Sequence, residues 1–240
     1  MRIATWNVNN QVGTKTFRPE AAAAVCALDA DVLVLTEYYP QAYHEDFVAE
    51  LTSRGWSHQI LSRESTEKTN RTLIAARIAL EADPLGLPDF DQQLPANLVA
   101  AFIPSGPLRI LGIRVPYYET KDPRLAQSWE WLEAAGAELQ NSASLIIGDL
   151  NVHVGSTLRG GDVFSRMLQN GWTRVQPTGS GSYFRKDGKW NEIDHVLISA
   201  KCKVNDAEYI TDVGDIHFAG NSTALSDHAA LVVDCEATST

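Results

Sequence analysis

The feature that most constrains this chain is a set of short apolar runs that end in acid or amide. Residues 144 to 153, SLIIGDLNVH, are representative: Leu145, Ile146 and Ile147 run directly into Gly148, Asp149, Leu150 and Asn151. Such a run gains free energy by burial, whereas a carboxylate resists it, so the segment reads as a strand whose end leaves the core. Gly, Asp and Asn are turn residues, which gives one reading of the ending. A strand that delivers oxygen ligands to the edge of a sheet gives the other. The choice depends on whether further strands bring similar groups to the same edge.

Strand-like segments recur at Arg2–Val8, Asp31–Glu37, His58–Leu61, Thr72–Ile78, Leu98–Ile103, Leu108–Val115, Ser144–Leu150, Ser182–Arg185, Trp190–Ile198, Lys203–Ile210 and Ala229–Asp234. Most are rich in Val, Ile and Leu and bounded by Gly, Pro or Asp. The RKDG stretch, Arg185 to Gly188, reads as a hairpin turn. Helices are expected over Pro19–Leu28, over Gln41–Arg54 with Gly55 as its stop, from an Asp122 cap and Pro123 to Leu139, and over Asp162–Asn170 before Gly171. Glu81 to Pro95 reads as a surface loop. Some strands lie too close in sequence for a crossover helix, which predicts an α+β chain with a largely antiparallel or mixed sheet and helices outside it. No repeat or linker divides residues 1–240, so a single domain is expected.

An apolar share of 44% over 240 residues supplies a core of ordinary size. No run approaches the roughly 18 apolar residues of a membrane helix, and the opening MRIATWNVNN lacks the apolar centre of a secretory signal. No membrane span and a cytoplasmic location are therefore expected. Cys26, Cys202 and Cys235 are scattered and form no CxxC pair, which argues against a disulfide framework and a thiolate zinc site. With 20 Lys and Arg against 30 Asp and Glu, the formal charge is -10. That balance disfavours broad tracking along nucleic acid, but it suits a compact phosphate site where a divalent cation offsets local acid. No obligate protein partner is inferred.

The strand ends answer the opening question. The first strand reaches Asn7 and then Asn9, the second finishes on Glu37, and SLIIGDLN finishes on Asp149 and Asn151. Ser226, Asp227 and His228 precede the last strand, while Asp194 stands beside Ile193 in NEIDHVLIS. In an antiparallel sheet the end of one strand and the start of its neighbour share an edge, so these groups can meet. Taken singly, most have an ordinary explanation as turn formers, strand termini or caps. Asp194 does not, because an acid within an apolar strand needs a partner. Recurrence over several strands favours a site. Carboxylates and amides with one imidazole are hard, oxygen-rich donors that suit Mg²⁺ or Mn²⁺ better than zinc. A cation so held clamps a phosphoryl oxygen and stabilises leaving-group charge. An Asp–His pair adds a base or proton donor of fixed orientation. The chemistry indicated is metal-assisted hydrolysis of a phosphate ester.

TWNVN at Thr5–Asn9, LTE at Leu35–Glu37, GDLN at Gly148–Asn151, EIDHVLIS at Glu192–Ser199 and SDHAAL at Ser226–Leu231 occur in this order over nearly the whole chain. Together they resemble the endonuclease/exonuclease/phosphatase family, in particular its abasic-endonuclease and deoxyribonuclease-like metal-dependent phosphoesterases. The resemblance implies a four-layer α/β sandwich, with two mostly antiparallel sheets packed face to face and flanked by helices. It implies an enzyme that depends on Mg²⁺ or Mn²⁺, with Glu37 binding the metal, Asn7 and Asn9 beside it, and Asp227 a second acid nearby. Asp149 would position or activate the attacking water and Asn151 would hold the phosphate. His228 would contact the phosphoryl oxygens or act as base, oriented by Asp194; the family leaves the base to Asp149 or His228.

The chain departs from the pattern in places. Abasic-site endonucleases of the family carry Tyr-x-Pro-Asn where this chain has RVPYY, so Arg114 replaces the tyrosine and Tyr117 the asparagine. An arginine fork still suits a phosphate, and a tyrosine still donates a hydrogen bond. Thr36 stands in place of a common glutamine, and Glu192 lies near a position that is often basic in nucleases. Trp190 suits stacking on a base or ring, or packing on the sheet as a hairpin aromatic. Arg71, Arg77, Arg185 and Lys186 read as a phosphate rim or as solvated charge. His44, His58, His153 and His217 lack motif support and read as structural or exposed. The leading expectation is a phosphodiesterase acting on a nucleic acid or nucleotide-like phosphate ester, with catalytic Asp149, His228, Asp194, Asn151 and Tyr117 and substrate-binding Asn7, Asn151, Arg114, Tyr117 and Trp190. The alternatives are an esterase for a small metabolite or lipid headgroup and, less favoured by the intact motifs, an inactive binding module.

Overall fold

The structure, a computed structural model, describes residues 1–10, 19–65 and 70–238. In chain order the elements are β1 (Arg2–Asn7), α1 (Pro19–Ala27), β2 (Val32–Tyr38), α2 (His44–Ser53), β3 (His58–Leu61), β4 (Arg71–Ala76), β5 (Glu81–Ala82), α3 (Gln93–Ala96), β6 (Leu98–Ile103), β7 (Leu108–Ile113), α4 (Pro123–Leu139), β8 (Ser144–Asp149), α5 (Gly161–Gln169), β9 (Thr173–Arg174), β10 (Tyr183–Phe184), β11 (Trp190–Asn191), β12 (Asp194–Ile198), β13 (Cys202–Ile210), β14 (Asp212–Val213), β15 (Ile216–His217) and β16 (Ala230–Ala237). Two six-stranded sheets result, ordered β13-β16-β1-β2-β4-β3 and β5-β6-β7-β8-β12-β9. Each contains a single parallel pair, β1 with β2 and β7 with β8, and all other pairs are antiparallel.

The apolar runs explain the layers. Strands buried on both faces need continuous apolar sequence rather than alternation. Ile3, Val32, Val34 and Ile74 of the first sheet meet Ile110, Leu145, Ile147 and Val196 of the second in the central core. The intervening residues Ala4, Trp6, Leu33 and Leu35 face outward onto α1 and α2, through Ala21, Val25, Phe47 and Leu51. Leu111, Ile113, Ile146 and Leu197 face Trp129 and Leu132 of α4 and Phe164 and Met167 of α5. The result is the four-layer α/β sandwich expected from the resemblance.

Several local expectations hold. Asp122 caps α4 by accepting from Arg124 N at 2.9 Å, with Pro123 in the first turn. The RKDG turn closes with Arg185 N donating to Lys189 O at 2.8 Å. Others need correction. Trp190–Ile198 is not one strand: Ser182 Oγ accepts from both Ile193 N and Asp194 N at 2.9 Å, which separates β11 from β12. Glu81–Pro95 is not wholly a loop, since β5 pairs with β6 and the short α3 begins within it.

Candidate active site

Five strands bring the polar groups to one edge of the sandwich. Asn7 ends β1 beside Thr36 of the parallel β2, and Glu37 is the next residue along. A register shift between Leu35 and Tyr38, with Glu37 at φ 49°, re-aims the Glu37 side chain as a β-bulge does. Asp149 ends β8 directly opposite Asp194, the first residue of β12. His228 lies two residues before β16, whose Leu231 pairs with Thr5 of β1. Asn9, Glu37 and Asn151 all adopt positive φ, of 44°, 49° and 51°. Left-handed backbone at non-glycine residues costs about 1 kcal/mol or more each, and it concentrates at functional sites.

Hydrogen bonds join these residues into one network. His228 Nδ1 lies 2.7 Å from Asp194 Oδ2. Trp6 Nε1 donates to His228 O at 2.9 Å, Ser226 Oγ accepts from His228 N at 3.0 Å, and the Tyr183 ring packs on the imidazole at 5.0 Å. Tyr209 donates its hydroxyl to Asp194 O at 2.9 Å. Asp149, only 1% exposed, accepts from Asn7 Nδ2 at 3.1 Å and from Asn151 N at 3.0 Å. Asn151 Nδ2 in turn donates to Val115 O at 2.9 Å. Asn9 Nδ2 donates to Asp227 Oδ1 at 3.0 Å. Arg114 Nη2 pairs with Glu37 Oε1 at 2.8 Å, and its Nε stands 3.7 Å from Asp149 Oδ2.

The electrostatics follow from burial and crowding. Asp149, Asp194 and His228 each offer one atom within 4.8 Å of the others. Burial, then the charge of Asp194, pushes the Asp149 carboxyl up to about 7. Burial alone would pull His228 down, but the Asp194 charge and hydrogen bond outweigh it and raise the imidazole to about 9. His195, beside Asp194, behaves in the opposite way. Burial lowers it to about 4, Arg174 Nε donates to its Nδ1 at 3.1 Å, and its Nε2 sits 2.8 Å from Val152 O. It is a neutral structural histidine.

The donor set fits a hard divalent cation. Asn9, Glu37, Asp149, Asn151 and Asp227 line one cleft of about 520 Å³ together with His228. Asp194 Oδ1 is buried with no hydrogen-bond partner among the described residues, an orphaned carboxylate oxygen of the kind a bound cation satisfies.

Most of the residues singled out from sequence meet here. Asn7, Asn9, Glu37, Arg114, Asp149, Asn151, Asp194, Asp227 and His228 belong to the network, and Tyr117 lines the cleft at 65% exposure. Trp190 is not brought to the cleft lining: its ring packs on Phe184 at 5.0 Å and reaches over Gly220. His153, set aside on sequence, does line the cleft, as do Ser156, Leu158, Arg159 and Tyr183. Ser182, Tyr183 and Tyr209 also went unseen as site residues. Only strand pairing reveals them, for example the bridge between Tyr183 and His228.

The same architecture occurs in solved structures of low sequence identity. A 3′-5′ exonuclease from Neisseria meningitidis is 21% identical with a TM-score of 0.69 and aligns over 98% of this chain and 100% of that one. A 3′ phosphatase from Neisseria bound to product DNA hairpin is 22% identical with a TM-score of 0.71, covering 98% of each chain. An AP endonuclease from Archaeoglobus fulgidus is 18% identical with a TM-score of 0.71, again covering 98% of each. No curated protein sequence matches the chain. The model of the Endonuclease/Exonuclease/phosphatase family matches residues 4–228. With that match running from the first strand to His228, the chain belongs to the Endonuclease/Exonuclease/phosphatase family of phosphoric ester hydrolases.

Proposed function

We propose that the chain is a Mg²⁺- or Mn²⁺-dependent phosphodiesterase acting on a nucleic acid or a nucleotide-like phosphate ester. The observation that carries this reading is the facing pair of Asp149 and Asp194 across β8 and β12, with His228 held on Asp194 at 2.7 Å and Glu37 and Asp227 in the same cleft. Glu37, Asn9 and Asp227 would hold the cation, with Asn7 beside them. Such a cation would supply polarisation of the phosphoryl group and stabilisation of charge on the leaving oxygen. Asp149, with a carboxyl near neutrality, is suited to orient a water and take its proton. His228, kept protonated by Asp194, is suited to donate to a phosphoryl oxygen. Asn151 and Arg114 bind the phosphate, and Tyr117 donates from the rim.

The acidic balance and the confined cleft also support a second reading, an esterase of small phosphorylated metabolites or lipid headgroups. Among the described residues no helix is long and apolar enough to cross a membrane. A panel of phosphoesters tests the proposal: single-stranded DNA, RNA, abasic duplex, cyclic nucleotides and inositol phosphates. Turnover of at least one is expected with Mg²⁺ or Mn²⁺ and none after chelation. Undiminished turnover in chelator would overturn the mechanism.

A further inference from the structure

The cleft has two arginines among the described residues, and they are not equivalent. Arg114, placed above on the phosphate being hydrolysed, lies 2.8 Å from Glu37 and 3.7 Å from Asp149. No carboxylate of the described residues comes within the 4.0 Å of an ion pair with Arg159, although the chain carries a charge of -10. The guanidinium of Arg159 lies 3.8 Å above the Tyr117 ring, and its Nη1 donates to Tyr118 O at 3.0 Å. Stacking and one backbone hydrogen bond fix the plane of the fork while leaving its other N–H donors without a partner among the described residues.

The loop that presents Arg159 is closed on itself. Ser156 N donates to His153 O at 3.1 Å, Leu158 N donates to Ser156 Oγ at 3.1 Å, and Gly161 N donates to Leu158 O at 3.0 Å. Arg159 has a positive φ of 54°, and a Cβ on Gly160 would lie 2.1 Å from the indole nitrogen of the buried Trp129. The loop is therefore seated on α4 through Trp129, and the cation is held in place before any ligand arrives. Ordering a long side chain in advance lowers the entropic cost of binding at that point.

We infer that Arg159, stacked on Tyr117, is a second phosphate subsite, which takes a phosphate of the substrate other than the one being hydrolysed. The inference rests on the phosphoesterase reading of the cleft and names its substrate class: phosphate esters that carry a further phosphate, on a strand or on a small bisphosphate. An unpaired, planar, pre-positioned guanidinium matches a phosphate through two N–H donors better than it matches a neutral ring. Carboxylates of the cation site repel such an anion, so the second phosphate settles at the Arg159 wall of the same cleft.

Calorimetric titration of the full chain with Mg²⁺ tests this without requiring turnover. The probes are thymidine 3′,5′-bisphosphate, thymidine 5′-monophosphate and a thymidine pentanucleotide. The bisphosphate is expected to bind about tenfold to a hundredfold more tightly than the monophosphate, the range for one charge-assisted contact. Arg159→Ala removes that ratio, and Arg159→Lys, which keeps charge but loses the fork, restores only part of it. If the pentanucleotide shows the same Arg159-dependent gain, the second phosphate belongs to a strand; if only the bisphosphate does, to a small molecule. Equal binding of mono- and bisphosphate by the unaltered chain, or equal weakening of both by Arg159→Ala, overturns the subsite. A retained ratio with no hydrolysis of any phosphoester would instead overturn the phosphoesterase reading and leave the subsite standing.

Discussion

Asp194 shows how a single side chain organises its neighbours. Its backbone is held by Ser182 and Tyr209, and its Oδ2 fixes His228 at 2.7 Å. If Asp194 acts through His228, Asp194→Asn leaves the imidazole present but without its charge partner. Turnover on an accepted phosphoester is then expected to fall about 10²- to 10⁴-fold, the usual span for a positioned acid or base. Asp194→Asn combined with His228→Ala should be no slower than His228→Ala alone, because residues acting as a unit are not additive. Multiplicative losses in that cycle would show that Asp194 works independently of His228. Asp194 was legible because an acid within an apolar strand needs a partner, and His228 through the recurrence of polar groups over several strand ends. Ser182 and Tyr183 were not, since a serine or tyrosine near a turn is unremarkable until strand pairing brings it to Asp194 or His228. Arg159 was hidden similarly, because its lack of a carboxylate partner exists only in three dimensions.

Among the elements, β8 carries the most constraint. Its residues Ser144 to Asp149 are all buried, and the strand is sandwiched between the parallel β7 and the antiparallel β12. Gly148 has φ 137°, and a Cβ there would stand 2.1 Å from Ile113 O of β7. That oxygen is backbone and cannot step aside. Gly148→Ala is therefore expected to destabilise the fold by about 3 kcal/mol or more, combining backbone strain with overpacking. Gly86→Ala, with nothing within 4 Å of the added methyl, is expected to change stability by less than about 1 kcal/mol. Urea denaturation of the two variants checks the contrast, and a small loss for Gly148→Ala would mean that β7 and β8 can separate. The long, strongly apolar strands and the capped α4 were readable from pattern. The short β5, β9, β14 and β15 were not: two residues carry no period, and pairing partners alone define them. The break before β12 escaped for the same reason, as it depends on Ser182 from another segment.

For the whole molecule, charge decides what kind of nucleic-acid contact is possible. Arg2, Arg54, Arg77, Arg109, Arg166 and Arg174 are each paired with a carboxylate of this chain, so they are not available as a basic face. Near the cleft, Arg159 and the exposed Lys186 and Lys189 of the β10–β11 hairpin have no ion pair among the described residues, while Arg185 is taken by Asp187. A few local cations on a body of charge -10 can grip a strand end or a nucleotide, but they cannot follow a duplex over many base pairs. Binding to a 20-base-pair duplex at physiological salt is therefore expected to be weak, micromolar or poorer. With about two to four phosphates neutralised, the slope of log K against log salt should be shallow, between about −2 and −4. Fluorescence anisotropy across a salt series measures both quantities. Replacing Lys186 and Lys189 together with glutamine should flatten the slope by about two, because each phosphate contact contributes close to one. Nanomolar duplex binding with a slope near −8 would reveal a basic surface absent from the described residues, and would return the chain to the duplex-tracking class that its composition disfavours.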